Sequence, residues 1–168
     1  MEGSVKLNTN GASKGNPGVA GIGGLLRSAS GECIIGFAAH LGICTSVAAE
    51  LYAIRIGLSI AWKYGYCNAV CEVDAQVVLH LLESGNASTH PLGVITDDIR
   101  ILKARNWNLT FQYTFREGNF CADSLSKMGC DLDEDLAVFS SPPVEVAPSL
   151  AAIQGVFHSP EALLWFSA

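Results

Sequence analysis

The stretch that most constrains this chain is an apolar, β-prone run broken by glycine. Lys6-Leu7-Asn8-Thr9-Asn10-Gly11-Ala12 gives way to Ser13-Lys14-Gly15-Asn16-Pro17-Gly18, then resumes as Val19-Ala20-Gly21-Ile22-Gly23-Gly24-Leu25-Leu26. The pattern predicts strand, tight connection, strand, with polar residues where the first strand ends. Glycine permits positive φ and lets another backbone come close. Alone, this is an ordinary hairpin, since glycine-rich turns are common.

The rest of the chain places that hairpin in a sheet. Residues 4–10 and 19–28 read as strands, 28–32 as a turn and Cys33–His40 as a third strand, an antiparallel meander. Helical spacing starts after Thr45 or Ser46, either of which can cap it, and runs to about Tyr64, where Gly65 ends it. Asn68–Asp74 is a short strand reached by a helical crossover, so it is expected to run parallel to a neighbour. Ala75 to Glu83 reads as helix, Ser84 to Ser88 as a loop, and Leu92 to Ala104 as helix again. Strict alternation then puts Trp107, Leu109, Phe111, Tyr113 and Phe115 on one side of a strand, and Asn108, Thr110, Gln112 and Thr114 on a wetter one. Arg116–Asn119 is a turn with Asn119 as cap, and Phe120 to Met128 a last helix ended by Gly129. The sum is an α/β fold: a mixed five-stranded sheet, three strands antiparallel and then two parallel, with helices on both faces.

Composition sets bounds. The 168 residues are 49% hydrophobic, enough for a sizeable core in one domain, expected at 1–130. Residues 131–168 read as an acidic, Pro-containing, loosely ordered tail. No apolar run is long enough to span a membrane, and Met1-Glu2-Gly3-Ser4 starts no signal peptide. An intracellular, soluble chain is expected, in nucleus or cytoplasm. The six cysteines lack metal-site spacing and read as buried free thiols. The net charge of −6 lies entirely beyond residue 130, where six acidic residues have no Lys or Arg beside them. The body is neutral, which counts against tight, unaided binding to nucleic acid.

Three carboxylates stand in unusual places. Glu50 lies near the start of the first helix, on a face shared with Ala53, Ile54, Gly57 and Ala61 that suits packing on a sheet. A carboxylate there is costly unless compensated, and the helix dipole explains it about as well as function does. Asp74 ends the parallel strand, as an N-cap or at the edge where α/β sheets put their sites. Asp123 lies in the first turn of the last helix, where the dipole again offers a structural explanation. Glu72 shares a strand face with Asp74, one pleat back, and reads as support. Acidic groups from several elements converging at one sheet edge are what a hard divalent cation demands.

In these stretches the chain resembles the ribonuclease H family, type one, and more narrowly the domains linked to plant non-LTR retrotransposon reverse transcriptases. The resemblance rests on Leu7–Ala12, Gly15-Asn16-Pro17-Gly18, Ala49-Glu50-Leu51, Glu72-Val73-Asp74 and Arg116–Asp123, in family order over about residues 4–130. It implies a ribonuclease H-like fold and two-metal hydrolysis of the RNA strand of an RNA–DNA hybrid, with two magnesium ions that manganese can replace. The implied metal-binding and catalytic positions are Asn10, Glu50, Asp74 and Asp123, with Asn10 standing where the family has aspartate. Substrate contacts carried over by position are Ser13, Gly15, Asn16, Ser46 and Gln76, expected to read ribose hydroxyls. Val47 replaces a polar family residue, and Tyr113 falls where the family has a mobile histidine; because Tyr113 fits the alternation of its strand, a packed tyrosine is expected there. The implied partners are the hybrid and a reverse transcriptase or other nucleic-acid-binding domain, with no membrane.

Three readings stay open. The chain is a hybrid nuclease impaired at Asn10, a hybrid-binding module without cleavage, or an interaction domain that keeps only the fold.

Overall fold

The computed structural model describes residues 3–84, 90–133 and 135–140. Six strands form one sheet: β1 (Val5–Gly15), β2 (Gly18–Arg27), β3 (Cys33–Cys44), β4 (Asn68–Val73), β5 (Asn108–Tyr113) and β6 (Leu136–Phe139). Their spatial order is β5-β4-β1-β2-β3-β6. The hairpin of β1 on β2 and the pairing of β2 with β3 are antiparallel, whereas β4 joins β1, and β5 joins β4, in parallel. The three-plus-two arrangement expected from the sequence is therefore present.

The sixth strand corrects the expected count. Leu136–Phe139 pairs antiparallel with β3 and buries Val138. It covers backbone donors and acceptors that β3 would otherwise expose as an edge. Four residues after the acidic run Asp131–Asp135 are too few to show a period, so the strand was not legible. The expected loop at 84–88 falls almost wholly, and the tail beyond Ser140 entirely, outside the described residues.

Helices α1 (Ser46–Lys63), α2 (Gln76–Glu83) and α3 (Gly93–Lys103) connect the strands, and α4 (Phe120–Cys130) follows a short 3-10 turn at Arg116–Asn119. The Thr45 hydroxyl caps α1 by accepting from the Ala48 amide, and Gly65, at φ +81°, stops it. Side chains alternate along β1. Leu7 belongs to the main core with Ile22, Phe37, Leu51, Ile54 and Leu58, all fully buried. Each such side chain contributes about 1.5–3 kcal/mol by leaving water. Asn8 and Asn10 point to the opposite face, where Leu25, Cys121, Ala122 and Leu125 form a smaller core under α4.

Two close approaches fix the helices that carry carboxylates. A Cβ on Gly11 would lie 2.3 Å from the backbone of Ala49 and Glu50, so only glycine lets the first turn of α1 sit on β1. A Cβ on Gly23 would lie 2.3 Å from the Ser126 amide, which seats α4 on β2 in the same way.

Four local expectations change. Gly129 does not end α4; the helix runs through it to Cys130, and a Cβ there would strike the Ala39 carbonyl oxygen at 2.6 Å. Asn119 makes no capping bond, because its amide Nδ2 donates to the Thr9 carbonyl at 2.9 Å. Tyr113 is not packed: it is 39% exposed, at the end of β5, edge-on to an exposed Phe115 at 5.7 Å. The cysteines are all unpaired, but only Cys71, Cys121 and Cys130 are buried and Cys67 is exposed. Among the described residues, no helix is long and apolar enough to cross a membrane.

Candidate active site

β1 supplies Asn10, α1 supplies Glu50, the end of β4 supplies Asp74 and α4 supplies Asp123. All four line one cleft of about 350 Å³, together with Gly11, Ala12, Ser13, Ser46, Val47 and Arg116 among others. Two other concavities are larger, about 460 Å³ between α2, α3 and β5 and about 470 Å³ between α1, β3 and β6. Each of those collects only one carboxylate, so the smaller cleft is the candidate site.

Within it the carboxylates differ. Glu50 is 8% exposed, and its Oε2 is buried without a hydrogen-bond partner. Burial and then the neighbouring Asp74 push its carboxyl up to about 8, against a smaller opposing bond from the Gly11 amide. Glu50 lies beyond the first turn of α1, which holds no acidic residue, so the helix dipole reaches it only weakly. Asp74 is also raised, first by burial, while its contact with Asn119 and the Arg116 charge act the other way. It does not cap α2, whose cap position is Ala75 and has no side-chain bond.

Asp123 is already engaged. Its Oδ1 accepts from Asn10 Nδ2 at 2.9 Å and its Oδ2 from Lys127 Nζ at 2.8 Å. Asn10 Nδ2 also donates to Ser126 Oγ at 3.2 Å, whose own hydroxyl donates to the Asp123 carbonyl at 2.7 Å. Two acceptors thus fix the orientation of the Asn10 amide, with the donor toward Asp123. Among the described residues, no three His, Cys, Asp or Glu side chains stand close enough to hold a metal ion as they are. The orphaned Glu50 oxygen beside Asp74 nevertheless suits an oxygen-seeking cation.

The other expected residues divide. Ser13 and Ser46 line the cleft. Ser13 Oγ donates to the Cys44 carbonyl at 2.9 Å and also meets the Gly15 carbonyl. Gly15 is exposed at the end of β1 at φ +106°, and Asn16 Oδ1 accepts from the Ser46 amide at 3.1 Å, tying the turn to the start of α1. Gln76 is exposed at the start of α2; neither it, Gly15 nor Asn16 lines the cleft. Glu72 faces away from it and is consumed by Lys6, Asn8 and Arg27.

Arg116, Ser126, Lys127 and Asn119 were not singled out as site residues. The four-residue spacing from Asp123 to Lys127 was readable as a helical ion pair. Ser126 and Asn119 had no signal, because their partners Asn10 and Thr9 lie more than 100 residues away.

Residues 8–129 match the family model described as Reverse transcriptase-like. Over 130 residues the chain is 35% identical to an Arabidopsis thaliana protein named "Putative ribonuclease H protein At1g65750", covering 77% of this chain but only 21% of that protein. The RNase H1 structure from the archaeon Halobacterium salinarum is similar at 28% identity and a TM-score of 0.72, over 77% of this chain and 98% of its own. LC11-RNase H1, solved in complex with an RNA/DNA hybrid, is 25% identical with a TM-score of 0.70, over 76% and 96%. With the sheet, the crossover helices and the cleft all in place, the chain belongs to the reverse transcriptase-like family and has the ribonuclease H fold.

Proposed function

We propose that the cleft is a divalent-cation nuclease site for the RNA strand of an RNA–DNA hybrid, and that Asn10 leaves its hydrolysis strongly reduced. The observation that carries this reading is that Asn10, Glu50, Asp74 and Asp123 reach one cleft from four elements, with a buried Glu50 oxygen left unpartnered. The hybrid bound by the similar LC11 protein supports the substrate class.

Glu50 and Asp74 would hold magnesium, or manganese in its place, and a second ion would draw on Asp123 and on position 10. Such ions polarise a phosphodiester and acidify the attacking water. Glu50 has to release the proton that burial keeps on it, so cation binding should free protons and strengthen as pH rises toward about 8. The Ser13 and Ser46 hydroxyls on the cleft wall are placed to read ribose 2′-hydroxyls. Arg116, exposed at the rim, can meet a phosphate. Asn10 offers one neutral oxygen where a carboxylate offers two anionic ones, and that amide presents its donor instead.

The same bond favours a second reading, a domain that binds hybrid without cutting it. Because residues 1–130 carry equal numbers of basic and acidic residues, the domain should act joined to a reverse transcriptase or another nucleic-acid-binding domain. Labelled RNA–DNA hybrid, RNA duplex and DNA duplex, each incubated with the Asn10→Asp variant and magnesium, test the assignment. Cleavage confined to the RNA of the hybrid is expected. Cleavage of DNA duplex, or of nothing, would refute it.

A further inference from the structure

Asp123 spends both carboxylate oxygens on the protein's own donors, and one of these is a full positive charge. Lys127 Nζ lies 2.8 Å from Oδ2, on the same helix one turn later, while Asn10 Nδ2 holds Oδ1 at 2.9 Å. Asp123 is mostly buried, with 24% of its side chain exposed, whereas Lys127 is 68% exposed. The lysine is thus free to leave, and the carboxylate is not. On the opposite wall, among the described residues, Glu50 and Asp74 show no such ion pair; Arg116 acts on both through space.

We propose that Lys127 is a tethered counter-ion that occupies the Asp123 corner of the cleft in competition with a divalent cation. The inference rests on reading the cleft as a cation site and names what regulates its filling. A cation using Asp123 must displace the ammonium from Oδ2. It must also break or turn the Asn10 amide, which points hydrogen rather than oxygen at Oδ1. Asn10 and Lys127 therefore act in the same direction, each lowering affinity at the same carboxylate. An aspartate at position 10 reverses its part: two carboxylate oxygens would face each other where the 2.9 Å hydrogen bond now runs, a geometry that needs a proton or cation between them. Lys127 would then compete for a much stronger site.

Binding of manganese alone to the full chain, read as free Mn²⁺ by electron paramagnetic resonance, tests this without substrate. Lys127→Met should tighten binding about two- to fivefold, the span of an exposed ion pair. Lys127→Arg should leave it unchanged. Lys103→Met removes the same charge from the far side of the sheet, where that lysine sits over Phe111, and should change little. Asn10→Asp should tighten binding more, and Lys127→Met should tighten it further in that background. Tightening by Asn10→Asp with no response to Lys127→Met, or an equal response to Lys103→Met, overturns the role of Lys127 and leaves the cation site standing. Failure of every variant to bind manganese at millimolar concentration overturns the cation site, and the counter-ion with it.

Discussion

Glu72 and Asp74 are two residues apart, yet their surroundings differ completely, and with Glu50 they show what burial alone decides. Burial would raise Glu72, but bonds from Lys6 and Asn8 and the charges of Lys6 and Arg27 outweigh it and hold the carboxyl below the usual range. Glu50 exposes about as little surface, but it is enclosed more deeply by protein, and that desolvation, with Asp74 beside it, raises it to about 8. The first cluster is a closed polar network: Arg27 Nε also donates to Asn8 Oδ1 at 2.8 Å, which leaves little for a ligand. The cleft is the open counterpart. Charge compensation, together with depth of burial, separates the structural Glu72 from the carboxylates proposed to bind a ligand.

The largest expected difference between the regions is catalytic. In an Asn10→Asp background, Asp74→Asn should slow hybrid cleavage by on the order of 10²–10³, the cost of removing a group that stabilises transition-state charge. Glu72→Gln in that background should leave the rate per folded molecule unchanged. A comparable loss from Glu72→Gln would erase the distinction.

Stability should show the opposite ranking. Glu72→Gln strands Arg27, whose side chain is only 14% exposed, and should cost about 2–3 kcal/mol in urea unfolding at pH 7. Glu50→Gln should be neutral or stabilising there, since it removes a carboxyl that folding holds protonated.

The pH dependence follows with opposite signs. Glu72, lowered in the fold, adds stability above the ordinary glutamate value of 4.5 that is lost as pH falls through its folded value. Glu50, raised in the fold, favours folding fully below 4.5 and loses that contribution as pH climbs to about 8. The stability read from urea unfolding between pH 4.5 and 8 in the absence of divalent ions should therefore rise on Glu50→Gln, increasingly toward pH 8. A pH-independent difference would contradict the buried, unpartnered carboxyl. The smallest effect is at the rim of the closed cluster: Lys6, 45% exposed, should cost at most about 1 kcal/mol on Lys6→Met.

Much of this was legible in the chain because the signals were local. The hairpin turn, the Thr45 cap and the alternation of β5 announced themselves within a few residues, and Asn108, Thr110 and Gln112 are exposed as that alternation required. Glu50 and Asp74 stood out as carboxylates in apolar settings. What was hidden depended on distance: the Asn119 bond to Thr9, the Ser126 bond to Asn10 and the pairing of β6 with β3 join residues about 100 apart. Tyr113 was misread because alternation reports which side a residue faces, not whether a helix covers that end of the strand.

Under the proposed function, the Asn10 side chain alone separates this cleft from a working one. Single-turnover cleavage of a labelled RNA–DNA hybrid at saturating magnesium, by the chain as it stands and by Asn10→Asp, tests it most directly. The rate should be higher for Asn10→Asp by at least on the order of 10²–10³, with both proteins equally folded. Equal rates would contradict it, whether both proteins cut or neither does.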